Sequence, residues 1–126
     1  MHGVTRKNHL ARNLTRMRKL FPLDYDFFPL TWSIPADMPG LRRDFRNRYV
    51  IVKPEAASQG KGIFITNKID EIPTGENFVV QEYINNPFLI DGLKFDLRLY
   101  VLVAGSDPLK IFLHEDGLTR FATRPF

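Results

Sequence analysis

From Asn8 to Leu20 the apolar residues Leu10, Leu14 and Met17, with Phe21 just beyond, recur at the spacing of one helix face, with basic residues between them. Thr5 or Asn8 is placed to cap the start of this helix, and Pro22 to end it. The next stretch, 21–39, holds Pro22, Pro29, Pro35 and Pro39 among Tyr25, Phe27, Phe28 and Trp32. It is too rich in proline for a regular helix and too aromatic for disorder, which predicts an ordered, extended segment packed on a core. Beyond it the pattern turns to short β-branched and aromatic runs. These predict strands over 49–52, 62–66, 78–84, 95–103 and 109–113, with a turn at 105–108. Strands outnumber helices, and no alternating series of roughly 30-residue strand–helix–strand units appears, which argues against a Rossmann sheet.

Composition narrows the setting. The 126 residues suffice for one domain, and no linker composition marks a second. No run approaches the ~18 apolar residues of a membrane span, and the N-terminal residues carry no apolar signal-peptide core. Cysteine is absent, which excludes disulfides and thiolate metal sites, and the expected compartment is cytosolic. The net charge of +4 is unevenly placed. Residues 1–20 hold Arg6, Lys7, Arg12, Arg16, Arg18 and Lys19 with no Asp or Glu, and Arg42, Arg43, Arg46 and Arg48 form a second cluster around Asp44. Such fields attract polyanions, whether nucleic acid, anionic lipid or an acidic protein tail; a solvated helix face is the plainer alternative.

Four segments carry candidate chemistry. In the first, an apolar strand runs into Lys53, and a loop of small residues ending in Gln59, Gly60, Lys61 and Gly62 leads into a second strand. Small residues let backbone N–H groups approach phosphate oxygens, and a lysine closing an apolar strand is costly to desolvate unless an anion meets it. The loop is not of Walker A type, because Gly62 follows Lys61 and a strand follows the loop. An ordinary hairpin loop and a structural salt bridge are the alternatives. In the second, alternation over 93–103 places Lys94, Asp96 and Arg98 ~7 Å apart on one face and Phe95, Leu97 and Leu99 on the other. The nearly continuous apolar run 99–103 then reads as an interior strand, so the charges predict a polar cleft floor or an internal ion-pair ladder. The third is the strand end Gln81, Glu82, Tyr83 and Ile84, whose backbone is suited to reading an adenine, although any strand ends somewhere. In the fourth, Arg120 is a candidate bidentate clamp for a carboxylate or phosphate, or a plain surface arginine. His114 with Glu115 and Asp116 suits no recognised metal site.

Taken in order, these segments resemble the tubulin tyrosine ligase-like family, most closely its polyglutamylase branch. The resemblance is carried by Asn13 to Met17 with Phe21 and Pro22, Thr31 and Trp32 with Ile34 and Pro35, and Ile51 to Pro54. It continues through Ser58 to Ile65, Gln81 to Ile84, Asp91 to Arg98, Tyr100 to Val103 and Asp116 to Thr123. It implies an α+β chain of mostly antiparallel strands with an N-terminal helix. Residues 1–126 would be the N-terminal and central part of an incomplete ATP-grasp domain whose metal-binding part is missing.

Carried over by position, Lys53 would bind phosphate, and Gln59 and Gly60 would belong to a flap over ATP, Gln59 also meeting the acceptor protein. The backbone of Gln81, Glu82, Tyr83 and Ile84 would hold adenine. Lys94, Phe95 and Asp96 would contact the nucleotide, Asp96 near the ribose. Arg98 would be catalytic, facing the γ-phosphate, and Arg120 would hold the incoming amino acid or the phosphate beside it. The flap and the charged row are thus expected to close around a triphosphate.

The implied reaction is ATP-driven isopeptide ligation. A glutamate γ-carboxylate in the acidic tail of tubulin attacks the γ-phosphate, and free glutamate displaces phosphate from the acyl phosphate. Glycine or tyrosine ligation is the alternative within the family, and a non-catalytic basic microtubule-binding module lies outside it. Mg²⁺ is expected, with its ligands beyond this chain, so the chain alone is expected to be inactive. Lys61 stands where many relatives have arginine. Microtubules are the expected partner, not membrane or nucleic acid, and the expected location is the cytoplasm and cytoskeleton, cilium or basal body included.

Overall fold

The computed structural model describes residues 2–55 and 60–126. The chain divides into two compact units, one reaching to Asn85 and the other running Asn86–Phe126.

The first unit opens with a helical turn, α1 (His2–Thr5), and the predicted helix, α2 (Lys7–Leu20). Its N-cap position is Arg6, rather than Thr5 or Asn8, and makes no side-chain cap bond. Pro22 ends it as expected. Phe21 is the C-cap, its N–H donating to the Met17 carbonyl, and Arg18 and Lys19 set positive charge at the negative end of the helix dipole. The residue the helix buries is Ala11 rather than Leu10, which is exposed.

The proline-rich stretch behaves in two ways. Residues 21–30 form turns that expose Leu23 and Phe27, contrary to the expectation of a segment packed throughout. Arg18 tethers them: it pairs with Asp26, donates to the Phe28 carbonyl at 2.9 Å and lies over the Phe28 ring at 5.1 Å. The far end does pack on the core, as β1 (Thr31–Ile34) buries Trp32 and Ile34. A helix the pattern did not predict follows, α3 (Met38–Asp44). It carries Pro39 in its first turn, where the missing N–H would have no helical partner anyway. Its Leu41, and Phe45 just after it, are buried.

Next come β2 (Val50–Pro54), β3 (Phe64–Thr66), a 3-10 turn (Ile69–Glu71) and β4 (Phe78–Glu82). The strands form one antiparallel sheet in the order β1-β4-β2-β3. Strand alternation gives it two faces. Trp32, Ile34, Val50, Val52, Phe78 and Val80 join Leu41, Phe45 and Ile72 in the core. The other face carries Thr31, Ile51, Lys53 and Gln81, and α2 contacts β1 and β4.

In the second unit a tight turn comes first. Ile90 and Leu93 exchange backbone hydrogen bonds of 3.1 and 2.9 Å across Asp91 and Gly92, whose φ angles are 52° and 73°. Asp-Gly pairs adopt such dihedrals at low cost. β5 (Phe95–Arg98) then pairs with β8 (Leu118–Phe121), and β6 (Val101–Ser106) with β7 (Leu109–Leu113), as two antiparallel ribbons. The long strand expected over 95–103 is therefore broken at Leu99 and Tyr100. Nor is its apolar half interior: Leu99, Val101 and Leu102 are exposed, and β6 has one hydrogen-bonded neighbour among the described residues. An interior strand needs a partner at each edge and cover on both faces. The mixture of few helices and mostly antiparallel strands is of the class expected. No described helix is long and apolar enough to cross a membrane.

Candidate functional site

Register decides what Lys53 can reach. Ile51 lies opposite Gln81 and Lys53 opposite Val79, so Lys53 and Gln81 are diagonal neighbours on one face, a separation long side chains bridge. Lys53 Nζ donates to Gln81 Oε1 at 2.9 Å. Thr31 lies opposite Gln81 from the other side, and Gln81 Nε2 donates to Thr31 Oγ1 at 2.9 Å. The Thr31 hydroxyl in turn donates to the Pro29 carbonyl at 2.9 Å. No carboxylate pairs with Lys53 among the described residues. Burial, and secondarily the positive charge of Lys7, hold the Lys53 ammonium below the usual lysine range. A half-buried cation with a neutral partner is a place that an incoming anion stabilises.

Beyond β2 the loop takes conformations that favour glycine. Gly60 has φ 78° and Gly62 φ 70°, and a side chain at Gly62 would bring Cβ within 3.0 Å of Pro54 Cγ. Gln59, expected in the flap, lies outside the described residues. At the end of β4 the Arg48 guanidinium donates to Glu82 Oε1 at 2.8 Å. The Glu82 N–H donates to the Leu30 carbonyl at 2.8 Å and the Tyr83 N–H to the Tyr49 carbonyl at 2.9 Å. Of the amides at 82–84, that of Ile84 alone has no acceptor among the described residues.

In the second unit the charged row is present, but on an exposed sheet. Asp96 lies opposite Arg120 and Arg98 opposite Leu118. Arg120 donates to both Asp96 oxygens, Nε to Oδ1 at 2.8 Å and Nη2 to Oδ2 at 2.5 Å. This bidentate bond holds the Asp96 carboxyl below its ordinary value and raises the Arg120 guanidinium. Two residues to which the sequence assigned separate roles are thus one cross-strand pair. Lys94 Nζ lies 5.5 Å from the Phe126 ring centre, and Phe95 packs on Phe121 at 5.7 Å between centroids. Lys94, Phe95, Asp96, Arg120, Phe121 and Ala122 line an open hollow of about 420 Å³. Arg98 is exposed and forms no ion pair among the described residues.

Residues 2–126 match the model of the tubulin-tyrosine ligase family. The chain belongs to that family. Over its whole length it is 53% identical to a probable beta-tubulin polyglutamylase of Tetrahymena thermophila, 52% to the human tubulin polyglutamylase TTLL6 and 44% to the human tubulin polyglutamylase TTLL7. It covers 11%, 14% and 15% of those proteins, a small part of their length.

Within this tubulin-tyrosine ligase family chain, three residues that shape the site escape a reading of the sequence. Thr31 sits in a strand hidden among prolines. Arg48 reads as one member of a basic cluster, yet pairs with Glu82 at the strand end. At Gly117 an added Cβ would stand 2.7 Å from the Arg98 carbonyl oxygen, so the chain passes the end of β5 only without a side chain. The turn leading to β5 did have a legible signal, Asp91-Gly92 between Ile90 and Leu93.

Proposed function

We propose that this chain is the nucleotide-binding part of an ATP-dependent amino-acid ligase that adds glutamate to glutamate side chains in the acidic tails of tubulin. The observation that carries this reading is Lys53, a half-buried cation held by the neutral Gln81 side chain at 2.9 Å, one strand from the segment 81–84. Such a cation suits a phosphate, and the Ile84 N–H just past the end of β4, without an acceptor among the described residues, suits an adenine acceptor nitrogen. The family supports an incomplete ATP-grasp domain over residues 1–126. The relatives, named as tubulin polyglutamylases, favour glutamate over glycine or tyrosine.

In this reading Lys53 neutralises phosphate charge, Gln59 and Gly60 belong to the flap, and Gln59 also meets the acceptor. Lys94, Phe95 and Asp96 contact the nucleotide. Arg98 serves the γ-phosphate, and Arg120 serves the incoming glutamate once its bond to Asp96 is exchanged. The acceptor γ-carboxylate displaces ADP from the γ-phosphate, and the glutamate amine then displaces phosphate. Positioned cations lower the barrier to both steps by offsetting the charge that develops. Magnesium would supply further neutralisation. Among the described residues no group of three or more His, Asp or Glu side chains gathers to hold it. The reading places the protein on microtubules, in cytoplasm or cilium.

The test is ATP-dependent incorporation of labelled glutamate into tubulin by the full-length protein, with labelled glycine and tyrosine in parallel. Lys53→Ala is expected to reduce incorporation by about 10²–10³-fold. Undiminished incorporation removes the assignment of Lys53, and binding to microtubules without ATP-dependent labelling favours a non-catalytic module.

A further inference from the structure

We infer that Thr31 is a positioning residue for the nucleotide site: its hydroxyl fixes the Gln81 amide so that the carbonyl oxygen, not the NH₂ group, faces Lys53. This rests on the reading of Lys53 as a phosphate ligand.

The count of protons on each group sets the orientation of the amide. A threonine hydroxyl has a single hydrogen and two lone pairs. The Thr31 hydrogen is committed to the Pro29 carbonyl, which can only accept, at 2.9 Å. Towards Gln81 the Thr31 oxygen can therefore only accept, and the group 2.9 Å away must be the amide NH₂. That choice leaves Oε1 at the other end of the amide, 2.9 Å from the Lys53 ammonium, which has only donors. Each link depends on the one before it, and the order runs from a backbone carbonyl across β1 and β4 to a cation on β2. Thr31 is buried and sits opposite Gln81 in the ladder, so the origin of the chain is held by packing and by register. Without the hydroxyl the orientation of the amide rests on the ammonium alone, and its NH₂ end loses its anchor. The amide then moves more freely and holds the Lys53 side chain less firmly in the position from which it meets an anion.

The experiment uses the full-length protein with Thr31→Val, which keeps the shape and removes the hydroxyl, and Thr31→Ser, which restores it. Both are compared with wild type for thermal unfolding and for the steady-state kinetics of ATP in the glutamate-incorporation assay. In Thr31→Val the KM for ATP is expected to rise about three- to tenfold, the worth of one hydrogen bond, while kcat changes less than twofold. In Thr31→Ser the KM is expected to return to within about twofold of wild type. An unchanged KM in a folded Thr31→Val protein overturns the inference, as does a Thr31→Ser protein that behaves like Thr31→Val, since packing of the methyl would then be the cause. If Thr31→Val does not fold, Thr31→Ser with wild-type KM against Thr31→Ala with a raised one sustains the inference, and equal KM values for the two overturn it. Lys53→Ala separates the two levels. Full activity there removes the phosphate assignment itself, whereas loss there with unmoved Thr31 variants removes only the positioning role.

Discussion

The two units hold their charged residues in opposite ways. Up to Asn85 a four-stranded sheet has a core in which Leu41, Val50, Val52 and Val80 are fully buried, and Lys53 and Gln81 stand on strands backed by it. From Asn86 to Phe126 no described residue is buried, and the strands pair only two by two. Asp96 and Arg120 face each other there because backbone register puts them opposite, not because neighbours confine them. A two-stranded ribbon alone is marginal in water. Packing therefore fixes the first set of side chains, whereas turn geometry and a short hydrogen-bond ladder fix the second.

Core truncation is the strongest way to test that contrast. Leu41→Ala is expected to cost about 2–5 kcal/mol in chemical denaturation, against about 0.5 kcal/mol or less for Leu102→Ala. Equal costs would mean that the second unit has a packed core after all. Gly117→Ala comes next, at about 1–3 kcal/mol, because the new Cβ must push β8 away from the Arg98 carbonyl. Amide exchange should quicken at Leu118 and Thr119 and stay unchanged at Val52 and Val80.

Lys53→Met sharpens the comparison from the functional side. The depressed Lys53 pKa means that folding disfavours the ammonium. Stability should therefore rise as pH climbs from that depressed value towards the ordinary 10.5, where the unfolded chain holds the proton that the folded chain has lost. Replacing the cation should abolish this alkaline rise and add about 0.5 kcal/mol at neutral pH, a small gain because the group is only half-buried. A less stable Lys53→Met protein would show that the cation is held favourably without a ligand. The smallest effect is expected of Asp96→Asn. Its exposed pair contributes above the ordinary aspartate value of 3.8 and is lost as pH falls through the lower folded value. Any change in melting temperature should vanish in high salt.

What could be read from the sequence follows the same divide. Strands 50–54, 64–66, 78–82 and 109–113 were legible because β-branched runs between turn residues are local signals. The helix at 7–20 was legible from its spacing and from Pro22. α3 was hidden because Pro39 and Gly40 read as breakers, yet a first turn tolerates both and burial of Leu41 supplies what propensity lacks. The continuous apolar run 99–103 suggested depth, but two exposed ribbons can carry apolar side chains on both faces. Lys53, Gln81 and Asp96 were each picked out singly. That Thr31 would stand beside Gln81, and Arg120 across from Asp96, depends on register, which no single segment encodes.

The order β1-β4-β2-β3 places the two strands bearing Lys53 and Gln81 innermost. When such a sheet breathes, its outer ribs let go first, and solvent must peel β1 or β3 before it can part β2 from β4. The distance between ammonium and amide is therefore guarded through most fluctuations. What flickers is the hydroxyl on the outer rib, so the orientation of the glutamine should loosen well before its partner is lost.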